Sequence, residues 1–498
     1  MKQKIYSGIY EKGPSNMTEK FLVDDIQLSC DQKLLPFYLW ETLAHDSMLV
    51  CQGILPAEKG QKILKVLLGF LKKADKGNLI LDPSVGDVHE NVESWLEQHI
   101  GSDAGWFHVA RSRNDQIAAD QKLLTKKLVF TLVEQAFALT NCLLIKAQKY
   151  AGTIMPGFTH QRVAMPSSYG FWCQAYALQV FENLEAWKAI FEITDINPLG
   201  AGASYGVNWP IRPNQTSSWL GFGKTFSNAL AAIHSRGTHE IFWLALATEI
   251  LIVLSRMMED IIFWTMPEFG LLSLSEGFTT GSSLMPQKIN PDVAEKIRSK
   301  AGVVLGQFVQ VASIIKGTHS GYNRDSSETK VVIIDGLTTA SEAIRLSTVL
   351  LDSLMPNQDK MLAMTVPALA TKLADNLSKE TGLPFRTAHK AVGKALLLAD
   401  KKIEGITTQV LSQAFVQVGG PKLDLPPEIF TALDLKEALN GYAYPGTPAP
   451  LFVEKSVKHL EAKVLSLEKW FHKKKEAFYQ SKKTLLVWVE RFIQTGKI

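Results

Sequence analysis

Three polar stretches of this chain hold side chains that could move a proton or grip an anion. "GSSLMPQKIN" (Gly281 to Asn290) contributes Ser282, Ser283, Lys288 and Asn290, with Asp292 and Glu295 just beyond. "HVARSRNDQ" (His108 to Gln116) packs Arg111, Ser112, Arg113 and Asn114 ahead of an apolar helical period, with Asp115 near the helix start. "MPGFTHQRVAMP" (Met155 to Pro166) sets Thr159 and His160 between two prolines that fix the backbone. The inventory is an acid or base (His160), hydroxyls (Thr159, Ser282, Ser283), carboxylate clamps (Arg113, Lys288) and amide donors (Asn114, Asn290). It suits proton abstraction beside a carboxylate of a small dianion, where developing negative charge needs preorganised donors.

Competing chemistries fit less well. "NPLGAGASYG" (Asn197 to Gly206) has the wrong glycine spacing for a dinucleotide loop and follows a helical pattern, so it reads as a tight interhelical connection. His234 and His239 stand five apart and "HENVE" lacks a second histidine, so neither metal nor other cofactor is expected. Cys30, Cys51, Cys142 and Cys173 form no CxxC pair, as expected of buried thiols in a reducing, cytoplasmic setting. The opening "MKQKIYSGIYEKG" lacks the apolar core of an export signal. Ile241 to Trp264 is apolar but carries Glu249, Arg256, Glu259 and Asp260, which predicts a helix buried among helices and no membrane span. From Glu454 onward, eleven Lys/Arg face five Asp/Glu. Val457, Leu460, Val464, Leu467 and Phe471 recur there at helical spacing, so the tail reads as a docked helix with a solvated face, without nucleic acid as partner.

These islands need a scaffold. The 498 residues suggest about three domains. Helical periodicity dominates from about Asp120 onward and strand-like alternation is scarce, so the expected class is mainly α with a central long-helix bundle. The expected boundaries are 1–110 for a first domain of short helices and turns, 111–360 for the bundle, and 361–498 for a C-terminal helical domain with its basic terminal helix. Within the last, Leu377 to Leu396 reads as a helical hairpin. A long helix is expected to begin at Asn290, a good N-cap followed by Pro291. The islands are separated by helices long enough to span a bundle, so they can meet only at bundle ends or between subunits.

The motifs resemble the fumarase/aspartase superfamily and, within it, most resemble the argininosuccinate lyase family. "GSSLMPQKINP" is similar to the superfamily's signature loop and "ARSRNDQ" to the lyase's arginine-asparagine motif. "MPGFTH", "PLGAGA" and "GYNRD" follow in the expected order, and the likeness runs from about Leu28 to beyond Asp375. It implies a three-domain protomer whose long helices assemble into a homotetrameric core, with each active site shared by three subunits. The implied reaction is reversible β-elimination of argininosuccinate, a step of arginine biosynthesis, giving fumarate and arginine through an aci-carboxylate intermediate. By motif position Ser282 takes the carbon-bound proton with Lys288 supporting its anion, and His160, polarised by Glu295, assists the leaving nitrogen. The resemblance leaves open which of Ser282 and His160 is base and which acid. Ser112, Arg113, Asn114, Thr159, Lys288 and Asn290 would hold the succinyl carboxylates, while Gln27, Tyr322, Ser327 and Lys330 would face the leaving amine.

Departures cluster on that amine side. Ser326-Ser327 stand where the family usually has Leu-Gln, Thr329 replaces an Asp, and Gln27 replaces a Ser, although Asp31 is retained. Gln161-Arg162-Val163-Ala164-Met165 also differs from the usual Leu-Gln-Arg-Ala-Gln. The alternatives are therefore a carbon-nitrogen lyase of another N-substituted aspartate, such as an aminopolycarboxylate, and a non-catalytic structural homologue.

Overall fold

The structure, a computed structural model, describes residues 15–420 and 425–498. The opening stretch read for an export signal falls outside the described residues. Two helices, α1 (Asp25–Cys51) and α2 (Ala57–Ala74), lead into α3 (Val88–Ile100). The first 110 residues are thus built on a helix of 27 residues, longer than the expected short helices, because α1 is buried almost all round and its length is set by packing rather than by one apolar face.

The bundle is made of α4 (Arg113–Lys149), α5 (Tyr169–Thr194), α6 (Ala229–Thr265), α7 (Asp292–Ile315) and α8 (Ser326–Ser353). Side-chain links give their directions. Cys142 meets the Thr348 carbonyl and Lys146 the Asp352 carbonyl, so α4 and α8 run parallel. Gln121 donates to Glu240 near the starts of α4 and α6. Asn183 reaches the Leu246 carbonyl and Trp172 reaches Asp260, which makes α5 antiparallel to α6. Arg298 pairs with Glu259 while Gly237 abuts Ile315, so α7 is antiparallel to α6 as well. One end of the bundle therefore collects the starts of α4, α6 and α8, and the other collects the starts of α5 and α7.

The α4 helix begins at Arg113, close to the expected start near Asp115, because Ser112 and Asp115 form a capping box. In α6 the helix breaks at Arg236 and Gly237, where Gly237 has φ +80°. Both α4 and α6 are long and apolar enough to cross a membrane by length and composition. In α6, however, Glu249 is bonded by Asn183, Asp260 by Trp172 and Tyr176, and Glu259 by Arg298, as in a helix packed among helices.

A second core is formed around α9 (Leu369–Thr381) and α10 (Phe385–Leu398), the expected helical hairpin, joined by Gly382 in the left-handed region. The terminal helix α11 (Pro450–Thr495) belongs to the main core instead. Its stripe Val453, Val457, Leu460, Val464, Leu467, Phe471 and Phe478 is buried, and burial of each such side chain contributes about 1.5–3 kcal/mol. Its lysines stay solvated or reach acids of other helices, as Lys482 does Asp75. All four cysteines are free, with Cys30 and Cys173 buried and Cys51 and Cys142 half-buried.

Candidate functional site

At the end of the bundle where α4 and α8 begin, several of the expected binding residues converge. Ser112 caps α4, its Oγ accepting the Asn114 N–H at 3.3 Å, and this leaves Arg113 and Asn114 on the first turn, half-buried. Arg113 lies 3.6 Å from Asp87, the N-cap of α3. Burial, and then the nearby Arg324 guanidinium, push the Arg113 pKa down to about 9. Two guanidiniums that repel each other gain stability when an anion lies between them.

The amine-side residues are assembled by α1 and α8. Gln27 Nε2 donates to the Ser327 carbonyl at 3.5 Å and to Glu328 Oε1 at 3.3 Å. Lys330 Nζ is bonded to Asp31 Oδ1, and Asp31 Oδ2 accepts the Val88 N–H at 3.4 Å. Tyr322 packs on the small cluster of Ala118, Ala201, Ala232 and Ile233, with the Arg236 guanidinium 5.1 Å from its ring centre. Thr329 is fully buried and donates to the Ser326 carbonyl, so the hydroxyl that stands in for the family's carboxylate is used inside the helix.

The remaining residues sit at the opposite end of the bundle. The signature loop is pinned by a short antiparallel pair, β3 (Thr280–Gly281) and β4 (Ile289–Asn290), and by the Thr280 hydroxyl bonded to Asp292. Asn290 consequently pairs with Thr280 as strand, and the helix starts at Asp292 with Pro291 as its N-cap, one residue later than an Asn290 cap would give. The Ser282 Oγ accepts two backbone N–H groups, from Leu284 at 3.2 Å and Met285 at 3.0 Å. Lys288 is exposed in the loop and Glu295 is exposed in the first turn of α7.

Thr159 and His160 also lie at this end, in an unexpected setting. The segment expected to be a proline-fixed loop is a hairpin of β1 (Ile154–Thr159) and β2 (Arg162–Ser168), in which Pro156 pairs with Pro166. His160 (φ 52°) and Gln161 (φ 57°) form its turn, both in the left-handed region that a type I′ turn demands. Phe158 packs on Phe263 and Trp264 at the end of α6, and His160 is exposed at the tip.

Within one protomer the two groups cannot meet. Since α7 has 24 residues, its ends are roughly 36 Å apart. Ser282 is at one end and the Arg113 and Tyr322 group at the other. Asp87 and Arg324 belong to the clamp but were not singled out from sequence. The capping-box spacing Asp87 to Glu90 was the available signal for the first. Among the described residues, no group of three or more His, Cys, Asp or Glu is placed to hold a metal ion.

A lyase family model matches residues 18–306, and a model described as the argininosuccinate lyase C-terminal region matches 367–440. The chain is 35% identical over 458 residues to argininosuccinate lyase 1 of Mesorhizobium japonicum, covering 92% of this chain and 97% of that one. The chain belongs to the argininosuccinate lyase family. The Streptococcus thermophilus argininosuccinate lyase is 38% identical over 400 residues, covering 80% of this chain and 86% of that one. Among solved structures, an EDDS lyase in complex with formate superposes with a TM-score of 0.84 at 25% identity, covering 97% of each chain. For this lyase the mainly α fumarase-like fold and the carbon-nitrogen lyase class follow directly.

Proposed function

We propose that this lyase cleaves argininosuccinate to fumarate and arginine by β-elimination, and that it does so as a homotetramer whose active sites each draw on three subunits. The observation that carries the chemistry is the pair of backbone N–H groups on Ser282 Oγ, because a serine can act as base only if its oxyanion is stabilised. Those two donors, with Lys288 and the positive end of α7 close in sequence, supply that stabilisation once the loop closes over substrate.

In this reading Arg113, Asn114, Ser112, Thr159 and Asn290 grip the succinyl carboxylates, and the cationic Arg113–Arg324 pair answers the extra charge of the aci-carboxylate. Ser282 removes the proton beside the carboxylate, and His160, with Glu295 behind it, delivers a proton to the departing nitrogen. The roughly 36 Å length of α7 is what requires neighbouring protomers, since Ser282 of one chain must meet Arg113 of another. Following fumarate absorbance with argininosuccinate as substrate tests the reaction. Turnover is expected, and no fumarate release would reject it.

A second reading is favoured by one feature of the amine side. Gln27 spends its amide on the Ser327 carbonyl and Glu328, and Thr329 spends its hydroxyl on the Ser326 carbonyl, so neither makes up for the amide and the carboxylate that family members usually carry at positions 327 and 329. Under this reading the same scaffold releases an amine other than arginine. Incubation with fumarate and a panel of amines decides between them: adduct formation with arginine supports the first reading, and adduct formation only with another amine supports the second.

A further inference from the structure

The glycine-rich segment Leu199–Gly206 has no role in the reaction so far, yet it touches both substrate-binding turns at the Arg113 end. Asp115, fully buried, accepts the Ser112 N–H at 2.9 Å through Oδ1 and the N–H groups of Gly200 and Gly202 at 2.9 and 2.8 Å through Oδ2. A single carboxylate therefore joins the turn bearing Arg113 and Asn114 to the glycine segment. On its other side, Ala201 lies in the cluster on which Tyr322 packs, and a methyl group on Gly321 would stand 3.7 Å from Ser204 Oγ and 3.8 Å from the Tyr205 hydroxyl.

The segment has little freedom to move. Gly200 (φ 103°) and Gly202 (φ 57°) are in backbone regions that side chains disfavour, and a methyl on Gly202 would lie 2.6 Å from the Gly206 carbonyl. Asn197, fully buried, accepts the Leu199 N–H and donates to the hydroxyls of Thr216 and Ser217, each at 3.0 Å, which anchors the segment's start.

We propose that Leu199–Gly206, keyed to α4 by Asp115, is a positioning element that fixes the distance between the Ser112–Asn114 turn and Tyr322, so that one substrate is held across both. Asp115 touches no substrate and acts through Asn114 and Ser112. The proposal rests on the lyase reading for what is held, but not for the coupling itself. Asp115→Asn presents one carbonyl and one NH2 to three N–H donors, so at least one donor loses its acceptor.

The test is a double-mutant cycle. Asp115→Asn is expected to lower kcat/KM for argininosuccinate by about a hundredfold, as misplacement of a binding group does. In an Asn114→Ala background it is expected to cost less than about threefold, because the group it positions is gone. Gly202→Ala crossed with Tyr322→Phe examines the other side of the segment and replaces the first cycle if Asp115→Asn does not fold. Fully multiplicative losses, or Asp115→Asn activity within threefold of wild type, would overturn the proposal. Fumarate affinity measured by calorimetry on the same variants reads the coupling independently of the amine, so a wild type inactive on argininosuccinate strikes the reaction and leaves this cycle readable.

Discussion

Lys330 on α8 is bonded to Asp31 on α1 with only 9% and 5% of the two side chains exposed. The ion pair closes the amine side of the site and also ties the first domain to the bundle. Breaking a buried pair leaves one charge without solvent or partner, which costs about 3–5 kcal/mol. Lys330→Met is therefore expected to lose that much unfolding free energy at fixed protein concentration. The double variant with Asp31→Asn should recover part of the stability but none of the activity. Urea denaturation together with the fumarate assay checks both halves, and a double variant as unstable as the single one would refute the pairing argument.

Ser282 is expected to matter for rate and little for binding. Ser282→Ala removes the hydroxyl while leaving the Leu284 and Met285 N–H groups and the carboxylate grips in place. The expected loss in kcat is about a thousandfold, in the range for general acid-base catalysis, with fumarate affinity changed little. Near-normal turnover would remove Ser282 from the mechanism.

His160 should show a different signature. It is exposed on the β1–β2 turn, so His160→Asn is expected to fold normally, Asn being well tolerated at φ 52°. A fall in kcat of about 10²–10⁴-fold is expected, together with loss of one limb of the pH–rate profile. An unchanged profile with reduced rate would assign His160 to binding only.

The sequence carried the helices whose ends are chemically marked and lost those whose ends are set from elsewhere. The Ser112–Asp115 box, the α9–α10 hairpin and the apolar stripe of α11 are local signals, and each forms where the residue types direct. The start of α7 was misplaced because Asn290, a good N-cap by type, is claimed by its pairing with Thr280, a tertiary contact that outweighs local preference. The His160 hairpin was hidden for a related reason: its two prolines face one another and its turn has no glycine. The candidate site residues come from motifs. That they divide between opposite bundle ends could be foreseen only as a consequence of helix length.

Arg111 is fully buried with Glu41 at 3.4 Å and Asp46 at 3.9 Å, one cation facing two acids. Burial pushes Asp46 from 3.8 up to about 8 and Glu41 from 4.5 up to about 7, with Arg111 pulling both back. Between the unfolded and folded values the folded chain holds protons that the unfolded chain has released, so stability falls as pH rises through that window. Asp46→Asn removes one such proton and should flatten the decline by up to about 1.4 kcal/mol per pH unit. Denaturation midpoints measured between about pH 5 and 8 check this, and a slope unaffected by the substitution would contradict it.

The placement of Ser282 and Asn114 at opposite ends of the bundle makes a prediction about mixtures. In a homotetramer of Asn114→Ala, or of Ser282→Ala, every active site lacks one group. In the proposed homotetramer with sites shared between subunits, unfolding the two variants together and refolding them as mixed tetramers lets some sites draw Asn114 from a Ser282→Ala chain and Ser282 from an Asn114→Ala chain, and so contain both. Activity well above that of either parent is expected after refolding together, and none after refolding separately and then mixing. If the two groups instead served the same site from one chain, no pairing of these variants could restore it. Recovery of activity on refolding together therefore tests the shared-site arrangement itself, independently of which residue is base and which acid.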